Sequence, residues 1–326
     1  MIEILLKEWI EQIKYYIHLI ADYSIKESQV GAVLDDVLNL SGKMLRSKLL
    51  LLCAFLGSNW KNNKEKICKL AAMVELTHLA SLIHDDIVDD SPYRRGKVSI
   101  QGKYGKDAAV FAGDFLIARI FYYGAVENLN EAVSILSKTV EYMCIGEIEQ
   151  DLCRYQEDIS EKKYFENIER KTAALFQAAS YIGAKESGCS EKIIQKLELF
   201  VKNLGLMFQL KDDILDFTSN SKELGKETHK DFQNGIYTFP VIMALKNPKG
   251  KEVLSPIMRK NKVEKLSLAE ILQLQNYIIQ FGGIEASYEK IKYLSNINRQ
   301  LIKELGQNSK ITVYLEKILN DLEVEN

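Results

Sequence analysis

Apolar residues recur at three- and four-residue intervals along most of the chain, as in LAAMVELTHLASLIHDDIVDD (residues 70–90) and KTVEYMCIGEIEQDLCRYQ (residues 138–156). That period places the apolar side chains on one side of a helix. Strand-like alternation joined by hairpin turns is hard to find. The pattern predicts an all-α protein of about a dozen helices, a helical bundle. The four prolines, Pro92, Pro240, Pro248 and Pro256, fall where helix ends or loops are expected. No Ser-, Gly- or Pro-rich linker interrupts the pattern, so residues 1–326 read as a single domain. The stretch from Ile257 to Asn326 is rich in Lys, Glu and Asn and reads as solvated closing helices without identifiable chemistry.

Hydrophobic residues make up 47% of the chain, enough for a sizeable core. A net charge of -2 gives no global attraction to nucleic acid, so a polyanion must be held by local basic residues or metal ions. The five cysteines, Cys53, Cys68, Cys144, Cys153 and Cys189, form no CxxC pair and fit free thiols in a reducing compartment. The amino terminus carries acids and lysines too early for a signal peptide, and no long uncharged apolar run suggests a membrane span. The expectation is a cytoplasmic protein with no transmembrane segment.

The chemistry starts at Asp85-Asp86-Ile87-Val88-Asp89-Asp90, which ends a long apolar helical stretch. Asp85 and Asp89 are one turn apart and share a helix face, as do Asp86 and Asp90. Like charges at that spacing destabilise a bare helix, so a hard cation preferring oxygen ligands is the natural compensation. Magnesium is typically shared between carboxylates and substrate phosphates. An acidic helix end leading into the Ser91-Pro92 turn is the bland alternative. Arg94, Arg95 and Lys97 follow directly, and guanidinium forks match phosphate oxygens, although a local salt-bridge cluster would look the same.

Phe208-Gln209-Leu210-Lys211-Asp212-Asp213-Ile214-Leu215-Asp216 repeats the arrangement far along the chain, with Asp212 and Asp216 on one face. One DDxxD is weak evidence. Two, each ending an apolar helix, point to carboxylates from two helices at one end of a bundle.

With these motifs in hand, the sequence resembles the trans-isoprenyl diphosphate synthases, the polyprenyl synthetase family, of long-chain type such as hepta- or octaprenyl diphosphate synthases. The matching stretches run in order: SGKMLR, HLASLIHDDIVDDSPYRRG, AVFAGDFL, KTAALF, FQLKDDILDF and GKETHKDF. The resemblance implies a helical bundle around a deep central cavity, a homodimer, and head-to-tail condensation of isopentenyl diphosphate with an allylic diphosphate. It implies that Asp85, Asp89 and Asp212 hold Mg2+ on the allylic diphosphate, about three ions in all, supported by Asp86, Asp213 and Asp216. Arg94, Lys171 and Lys226 would contact the allylic diphosphate, with Thr172 and Gln209 near the developing carbocation. Lys43, Arg46, His78 and Arg95 would grip isopentenyl diphosphate. The released diphosphate would take the final proton. No side-chain nucleophile is required.

Residue by residue, the bland readings stay open. Lys43 and Arg46, three apart, can share a helix face as a surface pair. His78 lies two turns before Asp85 on the same side and could be simply packed. Lys171 and Thr172 could be a plain helix start, and the loop holding Gly225-Lys226 an ordinary connection. The chain departs from the family at Ile236, where many members have lysine before Thr-Leu-Pro; here the segment is Thr238-Phe239-Pro240. Met44, Ser47 and Val98 also differ from the common residues.

Ser81 sits one turn, roughly 6 Å, deeper than Asp85 along the same face, and Ala80 is five residues before Asp85. Short-chain members commonly carry aromatic plugs there. Two small residues leave the path open, which predicts a product longer than about twenty carbons, in the range of roughly thirty to fifty, with a floor near Val74, Met143 or Phe121. Such a product suits delivery to a membrane. The alternatives are a short-chain synthase, a class I terpene cyclase, a non-catalytic scaffold, a helical interaction module, or a catalytic subunit that needs a small regulatory partner.

Overall fold

The structure is a computed structural model and describes residues 2–22, 28–40, 42–94, 96–218, 230–306 and 310–323. In chain order the helices begin with α1 (Ile2–Ile20), α2 (Gln29–Leu38), α3 (Leu45–Ala54) and α4 (Lys64–Val88). A short hairpin, β1 (Tyr93–Arg94) and β2 (Lys97–Val98), precedes α5 (Ile100–Tyr104), α6 (Lys106–Val126) and α7 (Asn130–Leu152). Then come α8 (Glu161–Ile168), a π-helical turn (Glu169–Ala173), α9 (Ala174–Glu186) and α10 (Glu191–Thr218). The chain closes with α11 (Lys230–Gln233), α12 (Phe239–Lys246), α13 (Pro248–Val263), α14 (Leu268–Gln280), α15 (Gly283–Glu304) and α16 (Lys310–Glu323). Among the described residues the hairpin is the sheet's full extent. The apolar period thus gives the all-α architecture it predicts.

The chain divides into two compact units. The first holds Met1–Glu141, Leu175–Leu199 and Ser309–Ile311. Its axis is α4, which is apolar around its whole circumference rather than along one stripe, the mark of a core helix. Ile67, Cys68, Ala71, Ala72, Met73, Val74 and Ala80 are fully buried, and α1, α3 and α6 pack around them. Gly183 lets α9 meet α3: a Cβ there would lie 2.3 Å from the Leu50 carbonyl oxygen. Trp9, Phe55 and Trp60 form an aromatic cluster with centroids 5.0 to 5.7 Å apart.

The second unit holds Tyr142–Ala174, Phe200–Asn308 and Thr312–Asn326. One of its cores gathers Phe217, Phe232, Tyr237, Val241, Leu254, Met258, Leu274 and Ile278. Pro240 and Pro248 occupy first turns of α12 and α13, where a missing N–H costs nothing. Asn247 caps α13, and a Ser267–Glu270 capping box starts α14.

Two expectations change. Pro256 lies inside α13, not at a helix end. A mid-helix proline costs about 3 kcal/mol, and burial of Leu254 and Met258 on either side holds the helix through it. The closing helices are amphipathic rather than solvated all round: Leu274, Ile278, Ile291 and Leu315 point into the core. Among the described residues, α4 and α6 are apolar and long enough to cross a membrane by length and composition alone. For α4 that apolarity is core packing. The apolar window of α6 is less than half buried.

Candidate active site

In the first unit the acidic cluster occupies the last turn of α4. Asp89 is the C-cap, and Asp90 turns into the left-handed region with φ of 48°. Four carboxylates at a helix C-terminus oppose the helix dipole as well as one another, so the position favours a cation. The structure sorts them. Asp86 points inward, where Arg94 Nε donates to Oδ1 at 2.8 Å and Oδ2 at 2.9 Å, and Gln101 donates to its carbonyl at 2.7 Å. Asp90 pairs with Lys106 at 3.0 Å on the surface. Asp85 and Asp89 remain half-exposed on one face. Beside them, His84 Nε2 lies 3.3 Å from Asp114 Oδ1, and Gly113 leaves room for that ring, since a Cβ would stand 2.3 Å from it.

Arg46 on α3 meets His78 on α4. Its Nη1 donates to His78 Nε2 at 2.9 Å, and its guanidinium lies 4.5 Å from the Phe176 ring centroid. A guanidinium only donates, so this contact requires neutral His78 carrying its proton on Nδ1. Lys43 is not on the same helix face as Arg46: α3 begins at Leu45, and Met44 sits at φ 51° in the left-handed region. Such a conformation is costly for a residue with a Cβ and tends to occur at functional sites. Ala80 is fully buried. Ser81 is half-buried, its hydroxyl donating to the His78 carbonyl at 2.8 Å. Arg95 lies outside the described residues.

In the second unit, Asp212, Asp213 and Asp216 occupy the last two described turns of α10. Asp212 is exposed and Asp216 half-buried on one face, while Asp213 is buried. Lys171 and Thr172 are not a helix start but the middle of the π-helical turn. Such single π turns are rare and recur at functional sites. Lys171 Nζ bonds Glu147 of α7 at 3.0 Å, and Gly146 makes room for the turn, its would-be Cβ lying 3.0 Å from the Lys171 nitrogen. Thr172 Oγ1 donates to Gln209 Oε1 at 2.8 Å, Gln209 Nε2 to Asp213 Oδ1 at 3.0 Å, and Tyr164 Oη to Asp213 Oδ2 at 2.5 Å. Burial pushes the Asp213 carboxyl up to about 7, against the hydrogen bonds from Tyr164 and Gln209 that lower it. Lys226 lies outside the described residues. Ile236 spends its backbone N–H on the Asp231 carbonyl at 2.8 Å.

The structure therefore brings together Arg46 with His78, Arg94 with Asp86, and Thr172 with Gln209 and Asp213. Sequence reading missed Tyr164, Glu147 and Gln101. Each acts through a contact distant in sequence, and no local pattern marks it. Among the described residues no three His, Cys, Asp or Glu side chains converge to hold a metal by themselves. Pairs of carboxylates on accessible helix faces instead fit magnesium, which is usually held by one or two carboxylates together with substrate phosphates.

A polyprenyl synthetase family model matches residues 27–275. The chain is 35% identical over 265 residues to heptaprenyl diphosphate synthase component 2 of Geobacillus stearothermophilus, covering 80% of each chain. It is 37% identical over 289 residues to a prenyl transferase of Cyanidium caldarium, covering 87% of each. Its fold matches the crystal structure of a polyprenyl synthase from Caulobacter crescentus CB15 complexed with calcium and isoprenyl diphosphate. That match has a TM-score of 0.87 and 28% identity, over 98% of this chain and 95% of that one. Heptaprenyl diphosphate synthase from Staphylococcus aureus matches with a TM-score of 0.85 and 26% identity, over 98% of each chain.

Proposed function

This chain belongs to the polyprenyl synthetase family and is a prenyltransferase, and from that premise we propose that it adds isopentenyl diphosphate head-to-tail to an allylic diphosphate to make an all-trans polyprenyl diphosphate longer than C20. The observation that carries the reading is the pair of acidic faces, Asp85 with half-exposed Asp89 on α4 and exposed Asp212 with half-buried Asp216 on α10, beside Asp86 and Asp213, which turn inward to Arg94 and to Tyr164 with Gln209. Magnesium bound with the diphosphate supplies charge stabilisation at the leaving oxygen. Lys171 and Arg94 add positive charge beside it, and Arg46 with His78 provides donors for the second diphosphate. The allylic C–O bond breaks, the isopentenyl double bond attacks the allylic carbon, and the adduct loses a proton to the departing diphosphate. The condensation of two diphosphates is what a terpene cyclase would not need.

Purified protein incubated with labelled isopentenyl diphosphate, farnesyl diphosphate and magnesium is expected to give a product longer than C20. In the same assay Ala80→Phe is expected to shorten the product by at least about one five-carbon unit, because the side chain grows one turn below Asp85; an unchanged length refutes that depth assignment. A second reading rests on the relatives named component 2: this chain would then condense nothing until a small partner subunit is added. For the protein's own assembly we propose a homodimer through α6, whose outer face carries Phe111, Tyr122 and Val126, 71%, 61% and 59% exposed. Large apolar side chains exposed on one side of a helix favour an interface there. Sedimentation is expected to give twice the chain mass, and Phe111→Asp with Tyr122→Asp to give the single chain.

A further inference from the structure

The chain Thr172–Gln209–Asp213 ends on a residue outside the motifs. We propose that Tyr164 is a positioning residue of the condensation: through Asp213 its hydroxyl locks the Gln209 amide so that the Gln209 carbonyl and the Thr172 hydroxyl stay paired. This rests on the function proposed above and on the family resemblance, which implies that Thr172 and Gln209 lie near the developing carbocation.

In the structure Gln209 presents its NH2 to Asp213 Oδ1 at 3.0 Å and its carbonyl oxygen to the Thr172 hydroxyl at 2.8 Å. An amide with no fixed neighbour could flip, exchanging oxygen for nitrogen beside the substrate. Asp213 prevents this as long as it stays in place, and Tyr164 holds its other oxygen at 2.5 Å. Tyr164 is itself buried and wedged by ring contacts to Phe165 and Phe239, with centroids 5.2 and 5.5 Å away. Four members in series, each satisfied by the next, make a rigid network rather than separate bonds.

The backbone supports the same assignment. Tyr164 lies in α8 and Thr172 within the π-helical turn that follows it, and both reach α10, where their partners Asp213 and Gln209 stand one turn apart. In an unbroken α-helix two residues eight apart drift about 80° around the axis. The wider π turn alters that phase ahead of Thr172, and the two side chains arrive on adjacent turns of α10. A dipole held in place before charge develops lowers the barrier without tightening ground-state binding. The effect therefore belongs in kcat rather than KM.

The test is a double-mutant cycle on the full chain. Tyr164→Phe removes one oxygen and keeps the ring. It is expected to lower kcat about tenfold, with KM for both diphosphates within about twofold, and to lower the melting temperature by a few degrees because buried Asp213 loses a donor. Calorimetric affinity for an unreactive allylic diphosphate analogue with magnesium is expected to stay within about twofold as well. In a Gln209→Leu background the same change is expected to cost less than about twofold, because there is no amide left to orient. An unchanged kcat, or an equal loss in both backgrounds, overturns the inference. Wild-type protein that makes no polyprenyl diphosphate overturns the proposed function instead, so the two failures are told apart.

Discussion

Asp85→Ala is expected to lower turnover by at least about a thousandfold, or ~4 kcal/mol of transition-state stabilisation, while leaving the protein folded. Asp85 is half-exposed at the end of α4, on one face with Asp89. That shared face is placed to offer a cation to a diphosphate, and charge neutralisation at the leaving oxygen is worth several kcal/mol. Removing Asp85 leaves Asp89 alone there. The effect on stability runs the other way. Asp85 repels its neighbours at a helix C-terminus, where the dipole is also negative, so its loss should be neutral or stabilising by a few tenths of a kcal/mol. Steady-state turnover, a thermal melt and a magnesium titration together check the claim. Wild-type turnover in a folded Asp85→Ala protein would refute the metal role. A melt lowered by several degrees would show that Asp85 belongs to the fold.

Much of this was legible in the residues because the relevant relations are local. The helical period needs only neighbours three and four apart, and so does the pairing of Asp85 with Asp89 or Asp212 with Asp216. What escaped depends on contacts between distant segments or on a backbone state that propensity argues against. Met44 adopts a left-handed conformation that a residue with a Cβ usually avoids, so a continuous helix through Lys43 and Arg46 was the natural expectation. The π turn holding Lys171 and Thr172 has no compositional mark. Pro256 is helical because the core around Leu254 and Met258 outweighs its intrinsic cost. The division into two units left no linker to read, since it arises from which helices pack together.

Arg94 shows how one side chain can carry a structural and a functional duty. By resemblance it contacts the allylic diphosphate, yet in the fold its Nε is committed to Asp86, and the two side chains are 14% and 4% exposed. A guanidinium has five donors, so the Nε contact leaves its outer edge the capacity to bind phosphate. Arg94→Leu is expected to strand a buried carboxylate, which costs about 3 kcal/mol and lowers the melting temperature by roughly 6 °C. Turnover should fall as well, but loss of folded protein would confound that measurement. The companion variant Arg94→Leu with Asp86→Asn separates the two. It removes the stranded charge, so most of the melting temperature should return. If Arg94 also binds diphosphate, turnover in this refolded background stays at least about tenfold low, with a raised KM for the allylic substrate. Recovery of turnover along with stability would confine Arg94 to holding Asp86 in place, and the hairpin β1–β2 that carries it would then be a brace for the end of α4 rather than a wall of the site.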